Sequence, residues 1–323
     1  MKRPSVCVIG TMHMDFIVYV RSLPRPGETV IGSGFEMQPG GKGANQAVAA
    51  ARLGACSNLV SRVGGDYVGK LLLDNAAKNR VETSYVKVDR ESHSGVAMII
   101  VDAHGENVIA VAPGVDECIS PSDVEEALPA IKESNVVIAQ LEVPVETALR
   151  AMKLAKEYGK LAILNPAPVK PLPPEIYNYI NIITPNAREL EALTGEKIES
   201  TEDAEHSALL LLDRGVDSVI VTLGKRGALV ASKNASKVVP AFDVPVVDTV
   251  GAGDAFNGAL AFALAGGVSI EEAVTFANVV ASLKVTRKGA QAGLPTADDV
   301  ARFIEDRDVN LKRLVKLLRS TPG

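Results

Sequence analysis

Hydrophobic positions along the 323-residue chain fall into short runs with two spacings, one of strands and one of helices. Residues 6–9 form a β-branched run that stops at Gly10, residues 15–20 predict a second strand, and residues 29–38 resume a strand-like pattern after the turn at 23–28. An Ala-rich helix opens after 39–45 and runs to about Leu53. A buried strand is predicted over 58–64 and a helix over 66–79. Residues 94–100 and 107–112 flank the Gly-containing loop 102–106, a hairpin signal. From Pro121 onward helices (121–133, 144–158, 173–178, 186–193, 201–214) alternate with strands (135–140, 160–164, 180–183, 217–222). A hairpin (227–232 with 236–239), a short strand (242–247) and a helix (255–265) follow.

Such alternation predicts an α/β fold with a mostly parallel central sheet flanked by helices. The segments near 11–38 and 95–112 break the rhythm and predict a small β-sheet lid. In an open α/β sheet the ligand lies at the carboxyl ends of the strands, where a lid excludes water. The tail, 308–323, is a basic amphipathic helix: Leu311, Leu314, Val315, Leu317 and Leu318 are interleaved with Lys312, Arg313, Lys316 and Arg319. It is expected to pack on the body or on a neighbouring subunit.

Composition narrows the class. The chain is 47% hydrophobic and 23% charged, with a net charge of −5, so neither a nucleic-acid nor a membrane partner is expected. Residues 1–10 enter a strand without a signal-peptide pattern. Cys7, Cys56 and Cys118 are scattered and odd in number, as expected of reduced thiols in a cytoplasmic protein.

Three small-residue turns carry candidate chemistry. At 248–258, Gly251, Ala252 and Gly253 lie where a helix begins, and its unpaired amides suit an anion that develops during a reaction. Asp254 in that turn is either a general base or a helix cap. Gly40-Gly41-Lys42-Gly43-Ala44-Asn45 lacks the P-loop ending, and is either a ligand cradle or a tight turn. Thr222-Leu223-Gly224-Lys225-Arg226-Gly227 ends a strand with two cations, which fits either nucleotide phosphates or a plain hairpin. Asn186 and Glu189 share a helix face, as either a hydrated Mg²⁺ site or a cap with a surface carboxylate.

Together these pieces resemble the PfkB/ribokinase family of carbohydrate kinases over roughly residues 5–305. Further matching stretches are 165–168, 183–186 and 285–291. The resemblance implies a ribokinase-like three-layer sandwich over 1–307 with the lid inserted, and 308–323 as an extension. It implies ATP-dependent phosphorylation of a sugar, D-ribose to D-ribose 5-phosphate in the first instance. A nucleoside, ribose 1-phosphate or another sugar are alternative substrates, and a non-catalytic sugar sensor is an alternative of another class. By the same resemblance Asp254 takes the hydroxyl proton, and the amides of Gly251, Ala252 and Gly253 form the anion hole. His13, Asp15, Gly41, Lys42, Gly43, Ala44, Asn45 and Glu142 bind the sugar. Asn186, the turn Thr222 to Gly227, Gly253 and Asn278 contact the nucleotide, and Asn186 with Glu189 holds Mg²⁺ through water. Asp248, Val250, Lys284, Arg287, Gly289 and Gly293 hold K⁺, several through backbone oxygens. His13 stands where members typically carry Asn, and is expected to act as a neutral imidazole. Gly293 stands where an oxygen-bearing side chain is usual. A homodimer through the lid is expected.

Overall fold

A computed structural model describes residues 3–320; Met1, Lys2 and the last part of the tail, 321–323, lie outside the described residues. In chain order the strands are β1 (Ser5–Ile9), β2 (His13–Tyr19), β3 (Gly34–Gly40), β4 (Cys56–Gly64), β5 (Val81–Asp89), β6 (Gly95–Val101), β7 (Asn107–Ala112), β8 (Val136–Gln140), β9 (Leu161–Asn165), β10 (Ile182–Ile183), β11 (Ser218–Thr222), β12 (Ala228–Ser232) and β13 (Ala235–Val239). The helices are α1 (Lys42–Arg52), α2 (Tyr67–Lys78), α3 (Pro121–Glu126), α4 (Leu128–Glu133), α5 (Val145–Glu157), α6 (Ala187–Thr194), α7 (Thr201–Asp213), α8 (Ala252–Ala265), α9 (Ile270–Val285), α10 (Ala297–Asp306) and α11 (Lys312–Ser320).

Nine strands form the central sheet in the order β13-β12-β11-β10-β9-β8-β1-β4-β5. From β5 to β11 every neighbouring pair is parallel, and β12 and β13 add an antiparallel hairpin at the far edge. The buried β-branched runs of β1 and β8 suit a sheet covered on both faces. One apolar cluster joins the sheet to α1, α2 and α8–α11, and a second joins it to α3–α7, giving the expected three layers. The second sheet, β3-β2-β6-β7, is the expected lid. Strand β2 continues from β1 after a three-residue step, so the lid is rooted at the carboxyl end of an interior strand of the large sheet.

Several elements differ from expectation. Strand β5 falls between the expected helix 66–79 and hairpin 94–112, where no strand was expected; it is a bulged, partly exposed edge strand with blurred alternation. Strand β3 starts at Gly34 rather than 29. The helix over 121–133 is two helices that meet at Ala127, with Pro129 in the first turn of the second. Residues 242–247 form no strand; Pro245 has no donor, and Val247 and Asp248 instead both donate to the Val285 carbonyl. Helix α8 starts at Ala252, three residues early, so Asp254 belongs to its first turn. The tail packs on the body: Leu311, Leu314, Leu317 and Leu318 are buried in the α8–α10 cluster, and Arg313 donates to the Gly266 carbonyl at 2.8 Å where α8 ends.

Helices α1 and α8 approach so closely that Gly258 is required at their contact. A Cβ there would lie 2.6 Å from both the Ala49 Cβ and the Gln46 carbonyl oxygen. Gly258→Ala is expected to cost about 1–3 kcal/mol of unfolding free energy through overpacking. Urea denaturation checks this, and an unchanged midpoint contradicts it.

Candidate active site

The carboxyl ends of β1, β8, β9 and β10 meet the first turns of α1 and α8 beneath the lid. Helix α1 begins at Gly41, whose φ of 88° suits glycine and whose missing side chain lets Thr11 and Met12 pack against the turn. Helix α8 begins at Gly251, with Asp254 at its third position. Asp254 is buried, and its carboxylate accepts from Asn45 Nδ2 at 2.8 Å and Gln46 Nε2 at 3.0 Å. The sequence motif at 40–45 and the motif at 248–254 thus meet at one carboxylate. Of the amides expected in the anion hole, that of Ala252 donates to the Thr249 carbonyl at 3.1 Å. Those of Gly251 and Gly253 find no partner among the described residues.

Glu142 follows β8 and accepts from the Lys42 amide at 2.8 Å and from the Thr11 hydroxyl, both through Oε2. Asp15 and His13 lie at the base of β2; His13 Nε2 is 3.5 Å from Asp15 Oδ1, and Nδ1 is 3.7 Å from Asp116 Oδ2. Burial works against the imidazolium, but Asp116, Glu142 and Asp15 outweigh it and raise the His13 pKa. The charged form of His13 is therefore favoured more than in a free imidazole. Burial likewise opposes the Lys42 ammonium, and Asp254, Glu142 and Glu189 together raise its pKa. Burial raises the pKa of Asp254, against the pull of Lys42, Asn45 and Gln46. Burial also raises Asp15 and Asp116, opposed by His13. Asp254 is thus a stronger base than an exposed Asp, set among hydrogen-bond acceptors for a polyol.

On the other side, Thr222 of β11 bridges to Asn186, so the turn 222–227 and the start of α6 lie together. Asn186 and Glu189 form a reciprocal capping box, with Asn186 Oδ1 accepting from the Glu189 amide at 2.9 Å and Glu189 Oε2 from the Asn186 amide at 2.8 Å. One Glu189 oxygen stays free, which fits Mg²⁺ held through water better than direct ligation. Among the described residues no group of three or more His, Cys, Asp or Glu side chains is placed to hold a metal by itself. Asn278 is buried, and its Nδ2 donates to the carbonyls of Val239 (3.0 Å) and Pro240 (3.1 Å).

The residues expected to hold K⁺ come together around the Asp248 carboxylate and the Lys284 side chain. Lys284 puts its own ammonium among them: Nζ donates to the Asp248 carbonyl at 3.0 Å and the Arg287 carbonyl at 3.4 Å. A K⁺ on Asp248, Val250, Lys284, Arg287, Gly289 and Gly293 would meet this like charge.

Other side chains belong to the site without having been singled out. Gln46 Nε2 also bonds Asn165 Oδ1 at 3.1 Å, and Gln46 Oε1 accepts from Gln140 at 2.6 Å. Gln291 donates to Asn45 Oδ1 at 3.0 Å. Thr184 donates to Asn257 at 2.6 Å, and Asn257 to the Gly253 carbonyl at 2.9 Å. Asn165, Thr184 and Gln291 lie in stretches already quoted as family-like, and Gln46 follows Asn45 directly, so adjacency was an available signal. Asp116 had none; only the fold brings it to His13.

Residues 3–297 match the pfkB family carbohydrate kinase profile. The ribokinase of Bacillus subtilis is 41% identical over 300 residues, covering 93% of this chain and 99% of that protein. The ribokinase of Haemophilus influenzae is 37% identical over 303 residues, covering 94% and 99%. The structure of Arabidopsis thaliana ribokinase complexed with ribose and ATP superposes with a TM-score of 0.87 at 30% identity, covering 98% of this chain and 99% of the other. With a buried carboxylate where its two signature turns meet and this similarity along its length, the chain belongs to the pfkB family of carbohydrate kinases.

Proposed function

We propose that the protein phosphorylates D-ribose with ATP, giving D-ribose 5-phosphate and ADP. The observation that carries this is Asp254, a buried carboxylate of raised pKa in the first turn of α8, held by Asn45 of the sugar turn. Asp254 takes the proton of the primary hydroxyl as its oxygen attacks the terminal phosphorus in line, and ADP leaves. The amides of Gly251 and Gly253, with the Lys42 ammonium, face the charge that develops. Asn186 and Glu189 would hold Mg²⁺, which would supply charge neutralisation on the phosphates. The turn 222–227 and Gly253 take the nucleotide. A sensor has no use for a buried base, which disfavours the non-catalytic alternative.

The charge balance favours a free sugar. Asp15, Asp116, Glu142 and Asp254 outnumber His13 and Lys42, so a phosphate already on the substrate would be repelled. The relatives named ribokinase support the same choice. The free thiols, two of them exposed, support a reducing cytoplasmic setting; no helix among the described residues is long and apolar enough to cross a membrane. The lid supports a homodimer: β3 and β7 are its two free edges, and Phe35, Met37, Met98, Val108, Ile109 and Val111 are exposed on it.

Asp254→Asn is expected to lower kcat by about a thousandfold or more, about 4 kcal/mol, with ribose binding little changed. A loss below about tenfold rules Asp254 out as the base. Because the base works ionised, kcat/KM should fall as pH drops through the raised Asp254 pKa, above the ordinary value of 3.8; an acid limb at or below that value contradicts the burial argument. For substrate choice, kcat/KM is compared for ribose, adenosine, cytidine and ribose 1-phosphate with wild type and His13→Asn. Ribose is expected to lead in both. Ribose use about a hundredfold or more below another substrate, about 2.7 kcal/mol, overturns the assignment. Light scattering at micromolar concentration should give a dimer, and a fully active monomer contradicts it.

A further inference from the structure

Lys284 lies in the last turn of α9 with its side chain fully buried, at 0% exposure. A buried ammonium is costly unless oxygen atoms surround it. Here they do. Besides the Asp248 and Arg287 carbonyls, the Asp248 carboxylate lies 3.6 Å away. The Gly289 carbonyl borders the same space: a Cβ on Gly293 would fall 2.6 Å from it, 2.9 Å from the Arg287 carbonyl and 3.2 Å from Lys284 Cε. A side chain at 293 would therefore push on these two carbonyls and crowd the lysine stem. Backbone oxygens with one formal negative charge around one positive charge are the surroundings of a monovalent cation.

This cluster is wired to the catalytic turn. Asp248 accepts from the Val250 amide at 2.9 Å and from the Gly289 amide at 2.7 Å, tying 287–293 to the residues that lead into α8. A Cβ on Gly251 would lie 3.0 Å from the Ala290 Cα, so the same loop lies directly against the first residue of the anion hole.

We propose that the Lys284 ammonium is the built-in monovalent cation of this site, and that it makes the turn 248–254 independent of K⁺ in solution. Lys284 is then a positioning residue, acting on Gly251 and Gly253 through Asp248 and the 287–293 loop. Burial lowers its pKa below the usual lysine value and Asp248 offsets this only in part; it is the geometry of the surrounding oxygens that suits an ammonium. The inference rests on the kinase reading of Asp254 but not on the identity of the sugar.

The test compares KCl with tetramethylammonium chloride at equal ionic strength. Wild-type turnover and melting temperature are expected to be the same in both. Lys284→Ala opens the carbonyl cage, so its kcat should fall by about tenfold or more in tetramethylammonium and recover in KCl, and its melting temperature should rise with KCl. A merely structural ion pair would not be rescued by K⁺. Wild-type turnover that rises about tenfold with KCl overturns the proposal, as does a folded Lys284→Ala whose loss KCl leaves unchanged. If the variant does not fold, the wild-type comparison still decides. If no sugar is phosphorylated, the kinase reading fails, and the wild-type melting comparison then decides the cation question.

Discussion

The site depends on one buried negative charge. Moving a carboxylate out of water costs several kcal/mol, and the two amide hydrogen bonds from Asn45 and Gln46 each return about 1.5–3 kcal/mol. The raised pKa of Asp254 shows that this return is incomplete. What remains is basicity. The donors come from adjacent positions on α1, so the base is held from the same turn that would cradle the sugar. Any shift of α1 against α8 moves base and sugar turn together, and the close contact at Gly258 limits such a shift.

The amides around Asp254 are themselves held. Gln46 is shared with Gln140 and Asn165, and Asn45 with Gln291. Neutral amides are well chosen here. They donate to the carboxylate without adding a cation, which would neutralise it and lower its pKa. The Lys42 ammonium pulls the other way: it acts on Asp254 more than on Glu142 or Glu189, and burial of the carboxylate still prevails.

Much of this was legible in the chain because it is local. The β-α alternation, the glycines at 40–43 and 251–253, and the basic amphipathic tail each declare themselves within a dozen residues. What was not legible depends on contacts between distant segments. Asp116 reaches His13 only because β6 runs beside β2 and leads through β7 into the turn at Gly114–Cys118, and this contact helps to raise the His13 pKa. Strand β5 has blurred alternation because it is a bulged edge strand. The β-branched run at 242–247 looked like a strand, but Pro245 and the pull of the Val285 carbonyl on two successive amides set it as a loop.

Lys284 illustrates the same limit in chemistry. By position it was an ordinary backbone contributor to a cation site, and a lysine late in a helix is most often a solvated surface residue or a favourable charge at the C-terminus. Gly293, nine residues on, leaves the Gly289 and Arg287 carbonyls and the lysine stem uncrowded. Neither residue is informative alone. A lysine without the glycine would share a distorted cage, and a glycine without the lysine would leave carbonyls needing a cation from solution. Taken together they replace a dissociable ion with a covalently tethered one, whose occupancy does not fall with salt concentration and whose entropy of capture was met when the chain folded.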